Sequence, residues 1–208
     1  MGGEKIYYRR NLPHYQPACA SFFITFRIAG SLPNEVINKL KQEYEIERSY
    51  LETIKNMEVK RNKFQHNSKI YFKRFDEFLD KYNDSPKWLN KEEVAKIVAD
   101  AIHYRDGKDY ELIAYCIMPN HVHIVINVER SGTSLYKILQ SLKAYTAREC
   151  NKILNRTGSF WQHESYDHVI RNDKELNNII WYVLNNPVKA GLVSDWQKWK
   201  WNYCKYEL

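Results

Sequence analysis

Two histidines separated by one residue are the first candidates for chemistry in this sequence. His121 and His123 follow the turn signal Pro119-Asn120 and open a run rich in β-branched residues, which favours a buried strand. Side chains two positions apart on a strand point to the same face, so the two imidazoles would project together. Such a pair could bind one divalent metal ion. Two histidines on a half-exposed strand would have the same spacing without any metal, and the pattern alone leaves both interpretations open.

A second group of reactive side chains is predicted on a helix that follows this strand. Tyr145, Arg148, Glu149 and Lys152 lie three or four positions apart and would share one helix face. A phenol can attack phosphorus, but its ordinary pKa of about 10 means that it needs a nearby cation or metal. Arg148 and Lys152 could neutralise a phosphate, and Glu149 could add a carboxylate to the ligands of a metal. The same residues would also suit a solvated helix face, and Tyr145 is one of sixteen tyrosines.

The elements that would position these residues alternate between strands and helices. Buried strands are predicted at 21–28, 110–118 and 122–128, and the turn between the last two makes them an antiparallel hairpin. Helices are predicted from Asn34, from Asn90, from Ser134 and from Asp173, and the last of them is expected to stop at Asn185-Asn186 because Pro187 follows. This order predicts one α+β domain over 1–208, in which helices cover one or both faces of an antiparallel sheet. The charged helical stretch at about 46–85 is predicted to be an insertion.

Composition and charge narrow the class of protein. The 208 residues carry a net charge of +7, and the sequence pI is near 9.1, which favours a polyanionic partner. The four cysteines are widely spaced and include no Cys-x-x-Cys pair, which argues against a zinc ribbon or a secreted disulfide scaffold. No apolar run reaches the length of a membrane span, and the first residues lack the core of a signal peptide. These features favour a cytoplasmic location.

Several motifs taken in order resemble one known family. They are His121-Val122-His123 after Met118-Pro119-Asn120, Ser141-Leu142-Lys143-x-Tyr145, Trp161-Gln162, Tyr166-Asp167-His168, the stretch Asn185-Asn186-Pro187-Val188-Lys189-Ala190-Gly191-Leu192-Val193, and the N-terminal segments 9–14 and 22–26. This set resembles the REP-associated tyrosine transposases, which are single-tyrosine HUH endonucleases related to small insertion-sequence elements. The resemblance extends over nearly the whole chain and is weakest at 46–70.

The resemblance implies a fold, a reaction and a set of site residues. The implied fold is a ferredoxin-like α+β sheet, with both histidines on a central strand. The implied enzyme nicks and rejoins single-stranded or hairpin DNA through a 5′-phosphotyrosine intermediate and uses Mg²⁺ or Mn²⁺. Carried over to this chain, Tyr145 is the nucleophile and His121 and His123 are metal ligands. Glu149, one helical turn after the tyrosine, is the expected third ligand, with Asn151 and His168 as alternatives.

Charge and position suggest which residues would contact DNA. They are Arg9, Arg10, Arg148, Lys152, Arg171 and Lys189, with stacking from Trp161 or Tyr166. The family contains both monomers and dimers with shared active sites, so a homodimer stays open. Two other functions also stay open: a domesticated DNA- or RNA-binding protein of the same fold without catalysis, and a metal-dependent hydrolase that uses water as its nucleophile.

Overall fold

The chain divides into two compact units. The computed structural model describes residues 7–9, 13–17, 19–82, 84–128 and 133–207. The first unit comprises residues 1–29 together with 86–208, and the second comprises residues 30–85. No helix in these described ranges is both long enough and apolar enough to cross a membrane.

The second unit is a pair of long helices, α1 (Asn34–Glu52) and α2 (Met57–Lys81). The side chain of Asn56 caps α2 by accepting hydrogen bonds from two backbone N–H groups of its first turn. Between the helices, the rings of Tyr44 and Tyr71 lie 5.1 Å apart, centroid to centroid. The predicted insertion at 46–85 falls inside this unit, which begins earlier, at Gly30.

The first unit is built on a five-stranded antiparallel sheet. Its strands are β3 (Ala20–Arg27), β4 (Glu111–Ile117), β5 (His121–Val128), β6 (Tyr166–Ile170) and β7 (Asn202–Cys204), in the order β6-β3-β5-β4-β7. Strands β3 to β6 have the spatial order of a ferredoxin-like sheet, and β7 extends this sheet beyond β4. Two short strands, β1 (Tyr7–Arg9) and β2 (Pro13–Tyr15), form a separate antiparallel pair.

Helices cover both faces of the five-stranded sheet. Helices α3 (Glu92–Arg105) and α4 (Leu135–Ile153) share one apolar core with the β5 side chains Val122, Ile124 and Ile126. Helix α5 (Asp173–Lys189) contacts β4, β5 and β7 and packs on the opposite face. Short 3-10 turns occur at Trp88–Asn90 and Trp196–Lys198. The predicted fold class, an α+β antiparallel sheet with helices packed on it, is confirmed.

Two local expectations were wrong or incomplete. Helix α5 does not stop before Pro187 but continues to Lys189. The proline lies in the last turn, where it removes a single hydrogen bond, and its ring is buried together with Val183 and Leu184. Strand β6 lies in a stretch of mixed aromatic and polar residues that shows no strand alternation, and it becomes a strand because it pairs with β3.

Candidate metal centre and nucleophile

His121 and His123 lie side by side on the central strand of the sheet. They are buried, and their Nε2 atoms are 3.0 Å apart. On β3, Arg27 faces His121 and Thr25 faces His123. Val122, between the histidines, points into the core on the opposite face. The prediction that the two imidazoles share one face of a buried strand is therefore confirmed.

Each imidazole is oriented by a hydrogen bond at its other nitrogen. Nδ1 of His121 lies 2.6 Å from Oδ1 of Asn120, and because an amide oxygen can only accept, Nδ1 carries the proton and Nε2 has a lone pair. Nδ1 of His123 lies 2.8 Å from the hydroxyl of Thr25. A hydroxyl can donate or accept, so His123 can adopt either tautomer without losing this hydrogen bond.

The arrangement of these nitrogens fits a metal ion. Two ligand nitrogens about 2.1 Å from one ion and at right angles to each other lie about 3.0 Å apart, which matches the separation of the two Nε2 atoms. When the Nδ1–H of His123 is donated to Thr25, both Nε2 lone pairs face the same point, where a cation would offset their repulsion. Histidine ligands of metals are typically fixed in this way through their second nitrogen.

Tyr182 is the tyrosine that the described contacts bring to this pair. Its ring lies 5.9 Å from the ring of His123 and 6.0 Å from that of Phe23, centroid to centroid. The ammonium of Lys189, on the same helix, lies 5.6 Å from the centroid of the Tyr182 ring. A phenol, a cation and the two imidazoles therefore meet on the α5 face of the sheet.

Tyr145 occupies a different environment. It lies on α4 and is 45% exposed, with the guanidinium of Arg148 5.7 Å from its ring centroid. The next residue, Thr146, accepts a 2.8 Å hydrogen bond from Trp161, whose ring packs on Phe26. These contacts attach α4 to the face of the sheet opposite the histidines. The described residues thus give Tyr145 no contact with either imidazole, and its role as nucleophile stays a prediction.

Glu149 is held by cations of its own helix. Its carboxylate lies 2.6 Å from Nε of Arg148 and 2.9 Å from Nζ of Lys152. Hydrogen bonds from Lys152 and Arg148 hold the pKa of the Glu149 carboxyl below its ordinary value. Its role as third metal ligand stays a prediction. Of the two alternatives, Asn151 donates to the carbonyl of Gly158, while His168 lies 3.0 Å from Glu175.

The predicted DNA contacts lie in several places. Arg148 and Lys152 are exposed on α4, and Lys189 is exposed at the end of α5. Arg171 is exposed just before α5, where its backbone N–H donates to Glu175. Arg9 belongs to β1, and Arg10 lies outside the described residues. These DNA contacts stay predictions. Of the two proposed stacking residues, Trp161 is buried in the core and Tyr166 is half-buried on β6.

The sequence pattern does not mark Tyr182 as a site residue, because it lies among apolar residues of its helix. Periodicity shows that Tyr182 lies on the inner face of α5 but not which face of the sheet α5 covers. One signal was available: a phenol in a buried stripe calls for a polar partner, since buried tyrosine hydroxyls usually have one. That signal identifies Tyr182 as unusual without naming His123 as its neighbour.

Comparison with known proteins places the chain in a family. The sequence model of the family described as "Transposase IS200 like" matches residues 82–186, which contain the histidine pair, α4 and most of α5. The chain belongs to the IS200-like transposase family. The resemblance to REP-associated tyrosine transposases is likewise confirmed. A Haemophilus influenzae protein named as a putative REP-associated tyrosine transposase is 32% identical over 99 residues, or 42% of this chain. An Escherichia coli protein named as a REP-associated tyrosine transposase is 26% identical over 98 residues, or 46% of this chain.

The fold of this chain also matches a solved structure. The structure of a REP-associated tyrosine transposase bound to a REP hairpin superposes with a TM-score of 0.57 at 16% identity, covering 94% of this chain and 80% of the other. At that identity, the likeness establishes the fold alone. The alignments with the two named relatives span 56% of the length of each.

Proposed function

We propose that this protein is a metal-dependent single-strand DNA endonuclease and strand transferase. The observation that carries the proposal is the convergence of three groups on one face of the sheet. The Nε2 atoms of His121 and His123 lie 3.0 Å apart, and the ring of Tyr182 lies 5.9 Å from that of His123. Membership of the IS200-like transposase family supports the same reaction class.

The nucleophile in this proposal is Tyr182, with Tyr145 as the second candidate. Nucleophilic attack requires the phenol oxygen within reach of the phosphate that the metal site holds. The contact of the Tyr182 ring with the His123 ring supports Tyr182 for this role, whereas the described contacts of Tyr145 lie on the opposite face of the sheet. Tyr145 would serve best if it acted from a second copy of the chain, in the homodimer that the sequence leaves open.

The proposed reaction is a transesterification. The phenolate oxygen of the tyrosine bonds to phosphorus as the bond from phosphorus to the 3′ oxygen breaks, the phenol proton passes to solvent, and the 3′ oxygen takes up a proton. The products are a 5′-phosphotyrosine and a free 3′ hydroxyl. One ester replaces another, so attack by a 3′ hydroxyl can rejoin the strand without an external energy source.

The residues of the site have separate roles in this step. His121 and His123 would hold a divalent ion, Mg²⁺ or Mn²⁺, which would supply Lewis-acid polarisation of a phosphoryl oxygen. The ammonium of Lys189, near the Tyr182 ring, offsets negative charge on the phenolate and on the phosphate. Glu149 is retained as the predicted third ligand, which would require its carboxylate to leave Arg148 and Lys152.

The proposed partner is single-stranded DNA or a DNA hairpin. The related structure contains a REP hairpin, and the net charge of +7 favours a polyanion. Phosphate contacts are proposed for the predicted cations Arg9, Arg10, Arg148, Lys152, Arg171 and Lys189.

A covalent-trapping gel tests the reaction and its nucleophile together. Hairpin oligonucleotides from the DNA that flanks the gene, labelled at either end, are incubated with the protein and Mg²⁺ or Mn²⁺ and then denatured. We expect a protein-linked band that contains the downstream fragment, joined through its 5′ end. EDTA and Tyr182→Phe should each abolish the band, while Tyr145→Phe, the matched loss of a hydroxyl on α4, should keep it.

Each other outcome changes the proposal in a defined way. Loss of the band in Tyr145→Phe but not in Tyr182→Phe would restore Tyr145 as the nucleophile. Cleavage without a band, unaffected by either variant, would indicate a hydrolase that uses water. DNA binding with neither cleavage nor band under either metal would indicate a nucleic-acid-binding protein without catalysis.

A further inference from the structure

The outer face of α5 carries a regular row of polar and aromatic residues. They are Lys174, Asn178, Trp181, Asn185 and Lys189, spaced by four, three, four and four positions, so they lie along one side of the helix. With a rise of about 1.5 Å per residue, this row, called here the α5 stripe, is about 22 Å long. The lysines stand at its two ends, the tryptophan lies near its middle, and none of its five positions is acidic.

Trp181 is the central residue of the α5 stripe. Its side chain is 44% exposed, which is unusual for an aromatic residue of this size. Its ring meets that of Trp196 nearly at right angles, with centroids 6.2 Å apart, so the indole is held in place while much of its surface stays open to solvent. The neighbouring side chains on the stripe are amides and ammonium groups, which differ from the apolar surroundings of a protein-docking or membrane-binding aromatic.

The position of the α5 stripe ties it to the proposed reaction. Trp181 directly precedes Tyr182, and one residue on a helix corresponds to a rotation of about 100°. Tyr182 therefore faces His123 while Trp181 faces solvent on the same helical turn. Lys189 belongs to both surfaces, because its ammonium also lies 5.6 Å from the centroid of the Tyr182 ring. Through Tyr182 and Lys189, the stripe therefore borders the face of the sheet that carries the histidine pair.

We propose that the α5 stripe binds the few unpaired nucleotides next to the cleaved phosphate, with one base stacked on Trp181 and phosphates near Lys174 and Lys189. This inference rests on the proposed function and adds a binding surface to it. Bases stack on aromatic side chains whatever their identity, and ammonium groups contact phosphates without reading sequence. The asparagine amides can donate to and accept from base edges or phosphates. The surface therefore fits single-stranded DNA of varied sequence better than a duplex, whose bases are already stacked.

A binding experiment separates this inference from the chemistry. Fluorescence anisotropy with a labelled single-stranded oligothymidine probe is measured in EDTA, so no cleavage occurs. We expect Trp181→Leu to weaken binding about tenfold, and Trp181→Phe, which keeps a π face, to retain most of the affinity. The matched control is Tyr104→Leu, which removes an exposed aromatic from α3 on the opposite face of the sheet and should leave binding unchanged. A plot of log affinity against log salt concentration should be less steep for Lys174→Gln, with the magnitude of its slope reduced by about 0.7.

The outcomes distinguish the two proposals. A wild-type protein that binds no single-stranded DNA would overturn both. Equal DNA affinity of the wild type and Trp181→Leu would overturn the proposal that the α5 stripe binds DNA. So would a loss of DNA affinity in Tyr104→Leu equal to that in Trp181→Leu. Either result would leave the proposed reaction intact. A change in sedimentation mass in Trp181→Leu, without a change in DNA affinity, would assign the surface to contact between two copies. Thermal melting of each variant verifies that the fold is retained.

Discussion

The hydrogen bond between Thr25 and His123 gives the sharpest test of the metal centre. Thr25→Val keeps the size and shape of the side chain but removes the hydroxyl that lies 2.8 Å from Nδ1 of His123. The ring would keep its nitrogens but lose the contact that fixes its direction. We expect metal affinity to fall, although neither of the two histidines proposed as ligands is altered.

The expected size follows from how such contacts behave. Loss of a hydrogen bond to the second nitrogen of a ligating histidine typically weakens metal binding by about 10- to 100-fold, which corresponds to about 1.4–2.7 kcal/mol. Leaving the buried Nδ1 without a partner should also cost about 1–3 kcal/mol of the free energy of unfolding. A decrease in metal affinity alone would therefore be ambiguous, because a loosened fold could also cause it.

Thr146 supplies a control for the effect on the fold. It is another buried threonine, whose hydroxyl donates a hydrogen bond to the carbonyl of Leu142 and accepts one from the indole of Trp161, both with a length of 2.8 Å. Thr146→Val should destabilise the protein by a similar amount but leave metal binding unchanged. Free Mn²⁺ is measured by its electron paramagnetic resonance signal during titration of wild type, Thr25→Val and Thr146→Val, and urea denaturation gives their stabilities.

Two results would refute this reasoning. Wild-type Mn²⁺ affinity in Thr25→Val, alongside a clear loss in His123→Ala, would mean that the hydroxyl does not orient the ligand. Equal losses of affinity in Thr25→Val and Thr146→Val would mean that the metal responds to overall stability and not to this contact.

Two further predictions concern residues outside the metal centre. Lys143 donates hydrogen bonds to the carbonyls of Gln162 and His163 and to the hydroxyl of Ser165. Lys143→Met should therefore cost at least about 1.5 kcal/mol and speed hydrogen exchange of the amides at 160–166, and unchanged exchange there would contradict this role. Burial raises the pKa of the Cys150 thiol from 9.0 to about 12. The unfolded thiol ionises from about pH 9 while the folded one stays protonated, so the free energy of unfolding should fall as pH rises from about 9 to 12. Urea denaturation across this range should show a shallower fall in Cys150→Ala, and parallel curves would exclude a contribution from this thiol.

Sequence patterns were informative wherever a single element decides the outcome. The β-branched run at 122–128 predicts a strand, and a strand places both histidines on one face, because that geometry is a property of one strand. The hairpin of β4 and β5 follows from the turn signal between them, and the core face of α4 follows from its apolar spacing. Each of these features depends on residues close together along the chain.

Features that depend on distant residues could not be predicted in the same way. Thr25 and His123 are 98 positions apart, and nothing in either local pattern indicates their hydrogen bond. The contact between Tyr182 and His123 depends on which face of the sheet α5 covers. The packing of the whole unit determines that face. Tyr145 shares a helix face with cations, as the spacing predicts, yet that face lies away from the histidines. Helical periodicity describes the neighbours within a helix and not the surface against which the helix packs.

Because β7 follows the other strands in the sequence, one edge of the sheet is completed late during synthesis. Strand β7 pairs with β4 along Ala114–Cys116, and the indole of Trp199 donates to the carbonyl of Ile117. On the ribosome, β4 and β5 emerge long before residues 199–204, so the outer edge of β4 waits with unpaired backbone groups until those residues have been made. Such an edge can pair with other nascent chains. A chain that ends before Asn202 should therefore accumulate as aggregates even though every residue of the proposed metal centre has been made.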